Sequence, residues 1–582
     1  MDWCATAGDP SHALDPATWK TWGKIPLNAK GHIPWTKGRQ VLWLAQEIVV
    51  PDALEAYPLA GLTLRLALTW WAEDAQIFVD GQLAQAGDLF DCMARVVLRE
   101  QVQPGERIPV ALRLVSPGHD DGALVRSHCI YERPNYGMEP CPEPGFVADE
   151  LDVVRHYVAT FAPEQWADLA QAIAPFDWSQ LADRAAFDQS LCDLRQRLLP
   201  FGEGIRQRQI SLLGHAHLDL AWLWPVADTW DAAERTFKSV LQLQAEFPEL
   251  IFTHSSPALY AWIEAHRPAL FEAIRAQVAV GRWEIAAGLW VEPELNLISA
   301  ESIARQILYG QRYVQEKFGR VSAIAWLPDT FGFCWQLPQF LRQGEVEFFV
   351  TQKLRWNDTN EFPHEAFWWE SPDGSRIFSL HSAPIGEGID PLKMTRYATQ
   401  FEQKTGYPHA LWLIGVGDHG GGPTRDMLHL ARRWGRSPFF PRLQFSTAQS
   451  YLEGVRGQEL GIRGQGSGVR SQESEPAISP SPPPYPSGKP TSTSNSTGAA
   501  TPLMPTRNGG IAAARRRCMR RSCGLRWRRW RWECRIRRQI WKLPGKRCCS
   551  TSFTTFCRDR RFLKCMRMPI GSGRRRRVAL GV

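Results

Sequence analysis

Gln209-Ile210-Ser211-Leu212-Leu213-Gly214-His215-Ala216-His217-Leu218-Asp219 opens as a short apolar strand and ends in histidine and aspartate. The same grammar recurs where Ala325-Trp326-Leu327 runs into Asp329, and where Leu413-Ile414 runs into Gly415-Val416-Gly417-Asp418-His419. In a sheet of parallel strands, ligands and catalytic groups collect at the carboxyl ends, because loops converge there without disturbing the packed strands. An enzyme is the reading this pattern favours.

Working outward, residues 209–451 alternate apolar strand candidates with amphipathic helices. The strands fall near 209–213, 250–254, 283–287, 323–327, 346–351, 376–381 and 410–416. Helices such as Thr229–Phe247, Ala258–Val280 and Ala300–Phe318 fill the gaps. This alternation predicts an α/β catalytic domain over 207–453, with a seven-stranded parallel sheet or incomplete barrel. Upstream, 1–150 reads as a β-sandwich: Val41–Leu44, Leu62–Leu68, Ala75–Val79 and Val110–Leu114 alternate around one buried face, and Asp80-Gly81 makes a tight turn. A helical connector is expected over 151–206, from the spacing of Phe161, Trp166, Leu169 and Ile173 and then of Leu191, Leu194 and Leu198.

Beyond Glu453 the pattern changes. Gly454, Gly461 and Gly468 each begin a seven-residue repeat without an apolar seam, and the stretch 479–505 is rich in Pro, Ser and Thr. The net charge of +8 hides a division: up to Thr506 there are 43 Lys and Arg against 58 Asp and Glu, whereas 507–582 holds 25 basic residues and, as acids, Glu533 and Asp559. Seven of the 13 cysteines lie in that tail, none spaced as a zinc module. The region 454–582 is therefore expected to be a low-complexity linker and a basic, disordered tail. Met1-Asp2-Trp3-Cys4 lacks the basic and apolar regions of a signal peptide, and no apolar run is long enough to span a bilayer, so the cytoplasm is the expected compartment.

Each candidate group has a plainer alternative. His217 and Asp219 point the same way on extended backbone and suit zinc, or they form a hydrogen-bonded structural pair. His215 supports that group from behind or is satisfied by backbone. Asp329 at a strand end is a catalyst or a helix N-cap, and the glycines around Asp418 serve a ligand or a plain turn. Trp222, Trp224 and Trp290 belong to the core or stack on sugar faces.

Taken together, Gly214–Trp224, Gly281-Arg282-Trp283-Glu284 with Gly288–Asn296, Trp326–Gly332 and Gly415–Thr424 resemble, in order and spacing, the α-mannosidases of glycoside hydrolase family 38, closest to the cytosolic-type branch. The resemblance implies one Zn2+ held by His217, Asp219 and Asp329, with Asp329 also attacking the anomeric carbon. Trp222 would stack on mannose, Trp290 and Glu292 would line the substrate site, and the configuration would be retained. Asp418 is the expected acid/base, with Glu292 in reserve. The implied partner is an α-mannoside or mannose-containing oligosaccharide, with no specific nucleic acid and no membrane. The rivals are another metal-dependent barrel hydrolase of deacetylase type and a polyanion-binding protein acting through the basic tail.

The family's fourth zinc ligand lies in a stretch like Asn-Gln-Phe-His-Asp-Ile-Leu-Pro-Gly-Ser, which this chain lacks. Residues 545–561 can be back-translated into codons that, read one base earlier, encode such a stretch, and 485–509 behaves alike in the same shifted frame. A frameshift is the reading that follows, and with it low mannosidase activity for this polypeptide. An uninterrupted coding frame without those codons, on sequencing the DNA, would remove it.

Overall fold

The computed structural model describes residues 3–118, 120–139, 141–222, 224–357, 359–417 and 420–465. Asp418 lies outside the described residues, as do residues 466–582, which include nearly all of the expected linker and tail.

The N-terminal part folds into two antiparallel sheets. Six strands order as Gly23–Lys24, Cys4–Ala7, Val41–Val49, Arg107–Val115, Asp74–Val79 and Gln82–Gly87; four order as Met93–Arg99, Thr63–Trp71, Gly122–Glu132 and Ile33–Trp35. Alternation drives the burial. In Met93–Arg99 the side chains of Ala94, Val96 and Leu98 are buried while Met93, Arg95, Val97 and Arg99 are partly exposed, so one face of the pleat is apolar. Leu44, Ile77 and Leu112 from the first sheet share a core with Leu66, Val96 and Leu124 from the second. Asp80 and Gly81 both take positive φ, 51° and 76°, the turn geometry that matches the twist of the flanking strands.

Three helices, Pro144–Phe161, Trp166–Ile173 and Arg184–Arg206, lead into the α/β part. Asp183 caps the third, accepting from Ala186 N at 3.1 Å. All seven expected segments are strands: Gln209–His215, Phe252–His254, Trp283–Ile285, Ile324–Trp326, Phe348–Thr351, Arg376–His381 and His409–Ile414. They form two sheets. One orders Trp283–Ile285, Phe252–His254, Gln209–His215 and His409–Ile414, with Arg442–Phe445 added along Gln209–Leu212, all parallel. In the other, Ile324–Trp326, Phe348–Thr351 and Arg376–His381 run parallel, and Ala366–Glu370 closes the edge antiparallel. Isolated bridges join Ala287 to Ala325 and Glu387 to Ile414.

Two expectations need correction. The helix expected over Ala258–Val280 is two helices, Pro257–His266 and Pro268–Ala279. Pro268 has no N–H to continue the first helix and disfavours helical backbone at Arg267, whose φ and ψ are −139° and 58°. The α/β part also does not stop at 453, because the helix Ala448–Gln465 runs through Gly454 and Gly457. Val455 is buried beside Tyr451 and Leu452 in the core and Arg456 pairs with Glu347 at 2.9 Å, so packing outweighs two poor helix formers. The start of this helix is tied to the sheet by buried Glu284, which accepts from Thr253 Oγ1 at 2.6 Å, Ala448 N at 2.7 Å and Gln449 N at 2.9 Å.

Among the described residues, no helix is long and apolar enough to cross a membrane.

Candidate metal centre and active site

The strand Gln209–His215 ends in a turn that carries two candidate ligands. His217 is buried and Asp219 largely so. Thr229, fully buried at the start of the next helix, organises this turn: its hydroxyl donates to Asp219 O at 3.1 Å and accepts from Ala221 N at 3.0 Å and Trp224 Nε1 at 3.1 Å. Ala221 is held at φ 57°, a left-handed conformation that costs an alanine about 1 kcal/mol or more. The strain is located just beyond Asp219, where the chain turns toward Trp222.

The second contribution comes from the end of Ile324–Trp326. Asp329 is buried and lies with its Oδ2 3.3 Å from His217 Nε2, while Asp219 Oδ1 is 3.0 Å from the same nitrogen. One ligand atom from each of His217, Asp219 and Asp329 falls within 4.8 Å of the others. Glu292 faces the opposite side of the ring, 3.8 Å from His217 Nδ1, and its Oε1 accepts from Asp329 N and from Thr330 Oγ1 at 3.2 Å. Glu292 thus fixes the backbone of Asp329 and lies beside the imidazole.

These contacts set the charges. Burial disfavours a charged imidazole, yet the hydrogen bonds to Asp219 and Asp329, with the charge of Glu292, raise the His217 pKa well above its ordinary value. Burial also opposes ionisation of Asp329, but His217 and Lys353 hold it well below the usual carboxylate range. Burial pushes Glu292 up to about 7 against the opposing pull of His217. Two carboxylates facing one imidazole nitrogen favour a positive charge between them. The donor set of one imidazole nitrogen and two carboxylate oxygens fits a divalent cation, with the imidazole then neutral.

Lys353 was not singled out in the sequence. It follows Phe348–Thr351 by two residues, is buried, and places its Nζ on Asp329 Oδ1. Its ammonium also lies 3.2 Å from the ring centroid of Trp356 and 4.4 Å from that of Phe331. Extending the strand-end rule to Phe348-Phe349-Val350-Thr351-Gln352-Lys353 would have found it. Gln352 belongs to the same end, its Nε2 donating to Pro328 O at 3.0 Å.

The remaining candidates are placed as follows. His215 is buried with its ring 5.2 Å from Trp326, and burial beside His254 and His217 drives its pKa well below the ordinary value. It stands outside the three-residue metal group. Trp222, 36% exposed, lies in the turn held by Thr229, where its backbone N–H donates to Trp224 O at 3.3 Å. Trp290 packs edge-on against Tyr313 at 5.7 Å. Two residues beyond Asp418, Gly420 N donates to His217 O at 3.0 Å, so the third strand-end loop reaches the main chain of the candidate ligand.

With this geometry established, comparison with known proteins is direct. Residues 207–476 match the model of the glycosyl hydrolases family 38 N-terminal domain. Alpha-mannosidase 2C1 of Homo sapiens is 37% identical over 260 residues, 44% of this chain and 25% of that protein. Alpha-mannosidase G of Dictyostelium discoideum is 35% identical over 250 residues, 42% of this chain and 23% of that protein. The alpha-mannosidase of Saccharomyces cerevisiae is 36% identical over 259 residues, 44% and 24% respectively. The match therefore spans about a quarter of the length of these relatives. The α/β segment that carries the His217, Asp219 and Asp329 cluster belongs to glycosyl hydrolase family 38.

Proposed function

We propose that this chain carries the catalytic centre of a zinc-dependent, retaining α-mannosidase that removes terminal α-linked mannose from oligosaccharides. The observation that carries the reading is the convergence of His217, Asp219 and Asp329, from strand ends more than a hundred residues apart, within 4.8 Å, in a segment whose relatives are named alpha-mannosidases. The two sheets, bridged at Ala287–Ala325 and Glu387–Ile414, are read as one barrel-like unit with these groups at its carboxyl end, and the N-terminal sheets as a β-sandwich.

His217, Asp219 and Asp329 would hold Zn2+, which when bound supplies a Lewis acid able to take sugar hydroxyls as ligands. Asp329 remains ionised because His217 and Lys353 favour its charged form, and its carboxylate attacks the anomeric carbon to give a covalent mannosyl ester. Two displacements at that carbon give net retention. Asp418 is proposed to protonate the leaving oxygen and then activate water. Glu292 is the reserve for that role and in either case aligns His217 and Asp329. Trp222, at the exposed rim, is the proposed platform for the apolar face of mannose, with Trp290 and Glu292 further along the pocket wall. With three protein ligands among the described residues, the cation is held less firmly than by four, and turnover by this chain is expected to be low.

The test is trapping. Zinc-loaded protein incubated with a fluorinated mannosyl fluoride should lose fluoride from the reagent and gain one fluoromannosyl mass on the peptide containing Asp329. Labelling at another carboxylate, or none in protein shown to bind zinc, rejects the assignment.

A further inference from the structure

We propose that Phe90 and Asp91, on a loop of the N-terminal sheets, are positioning residues for His217, acting through Gly420 and Gly421. This rests on the reading of His217 as a metal ligand. The loop that presents them is built to be stiff. Asp88 Oδ1 accepts from Phe90 N at 2.7 Å and from Asp91 N at 3.0 Å, while Trp70 Nε1 donates to Asp88 O at 3.0 Å. Phe90 and Asp91 are both buried.

Against this loop lies the glycine segment of the α/β part. A Cβ built on Gly421 would stand 2.9 Å from Phe90 Cα, and one on Gly420 would stand 3.1 Å from Phe90 Cε1. Both glycines have positive φ, 88° at Gly420 and 77° at Gly421, so neither the backbone conformation nor the space admits a side chain. Their amides donate into the α/β part, Gly420 N to His217 O at 3.0 Å and Gly421 N to Thr236 Oγ1 at 2.9 Å. The chain of contact therefore runs from Phe90 through two glycines to the main chain of His217.

The neighbouring helix is pinned from the same loop and the strand that follows it. Asp91 Oδ2 pairs with Arg425 Nη1 at 2.7 Å and Arg95 Nε with Asp426 Oδ1 at 2.7 Å, at the first two residues of Arg425–Gly435. A ring wedged against glycine backbone and a pair of ion bonds fix the segment at both ends. The N-terminal sheets thus complete the catalytic centre without touching substrate. Metal geometry tolerates little displacement of a ligand, and loss of the groups that orient one lowers metal affinity by ~10–100-fold.

Amide exchange and zinc titration of the full chain carrying Phe90→Ala test this, with Asp91→Asn as the milder variant should the first fail to fold. In the metal-free protein, exchange at Gly420 and Gly421 should quicken by about tenfold or more while amides of Gln209–Leu213 keep their parent rates, the mark of local rather than global opening. Zinc affinity should fall by about tenfold or more. Unchanged exchange at Gly420 in whichever variant folds overturns the proposal, as does an equal rise in exchange in Gln209–Leu213. Should the parent chain bind no zinc while the glycine amides are released as expected, the coupling stands and the metal reading falls.

Discussion

Asp329→Asn is expected to lower any turnover of an aryl α-mannoside by roughly a thousandfold or more, because the amide neither attacks carbon nor carries the charge a cation needs. Two effects are mixed in that loss, and the structure shows how to separate them. Asparagine takes away the carboxylate paired with the buried ammonium of Lys353, and breaking a buried pair costs about 3–5 kcal/mol. The double variant Asp329→Asn with Lys353→Met should recover stability in urea unfolding but not turnover. Loss of a nucleophile is then distinguished from loss of a ligand by azide. Asp329→Ala should form mannosyl azide of inverted configuration, and Asp219→Ala should not. Equal rescue of both, or of neither when zinc is bound, would assign Asp329 to the metal alone.

Glu132→Gln is expected to cost about 3–5 kcal/mol of stability, the range for removing one member of a buried ion network. Glu132 is 1% exposed and stands among three guanidinium groups: Arg65 at 3.0 Å, Arg95 at 2.9 Å and Arg433 at 3.2 Å. Arg65 and Arg95 come from the N-terminal sheets, Arg433 from the helix Arg425–Gly435. Arg433 is also bound by Glu143 at 2.6 Å and Arg95 by Asp426 at 2.7 Å. Neutralising Glu132 leaves these cations repelling one another in a poorly solvated place. Glu132 is one member of this network while Phe90 acts through local contact, so the two variants should separate in exchange: Glu132→Gln lowers protection broadly, Phe90→Ala at the glycines. A urea midpoint unchanged by Glu132→Gln would show that water reaches the network and screens it.

Much of the centre was legible along the chain. His217, Asp219 and Asp329 were readable because an apolar run ending in a ligand-type side chain marks a strand terminus whatever packs around it. Pro268, which divides Pro257–His266 from Pro268–Ala279, is an equally local signal, but the apolar spacing continues across it and masks the break. Lys353 was missed because a lone lysine just beyond a strand is ordinarily solvated; what distinguishes it is the pair of rings and the carboxylate around it. The helix beyond 453 was illegible for a different reason. Gly454 and Gly457 argue against it locally, and the burial of Val455 that sustains it depends on a core gathered from distant strands.

The amino-acid sequence by itself determined which residues stand at the carboxyl ends of strands, since alternation and helical period are local properties set by backbone geometry and solvent. It also carried the family, through motifs that each need a few adjacent residues. Only the tertiary structure decided that His217 and Asp329 come together, that Lys353 pairs with Asp329, and that Phe90 packs against Gly420 and Gly421. Those relations join residues tens to hundreds of positions apart. No local preference encodes such a distance, which is set by the summed packing of the sheets and helices between them.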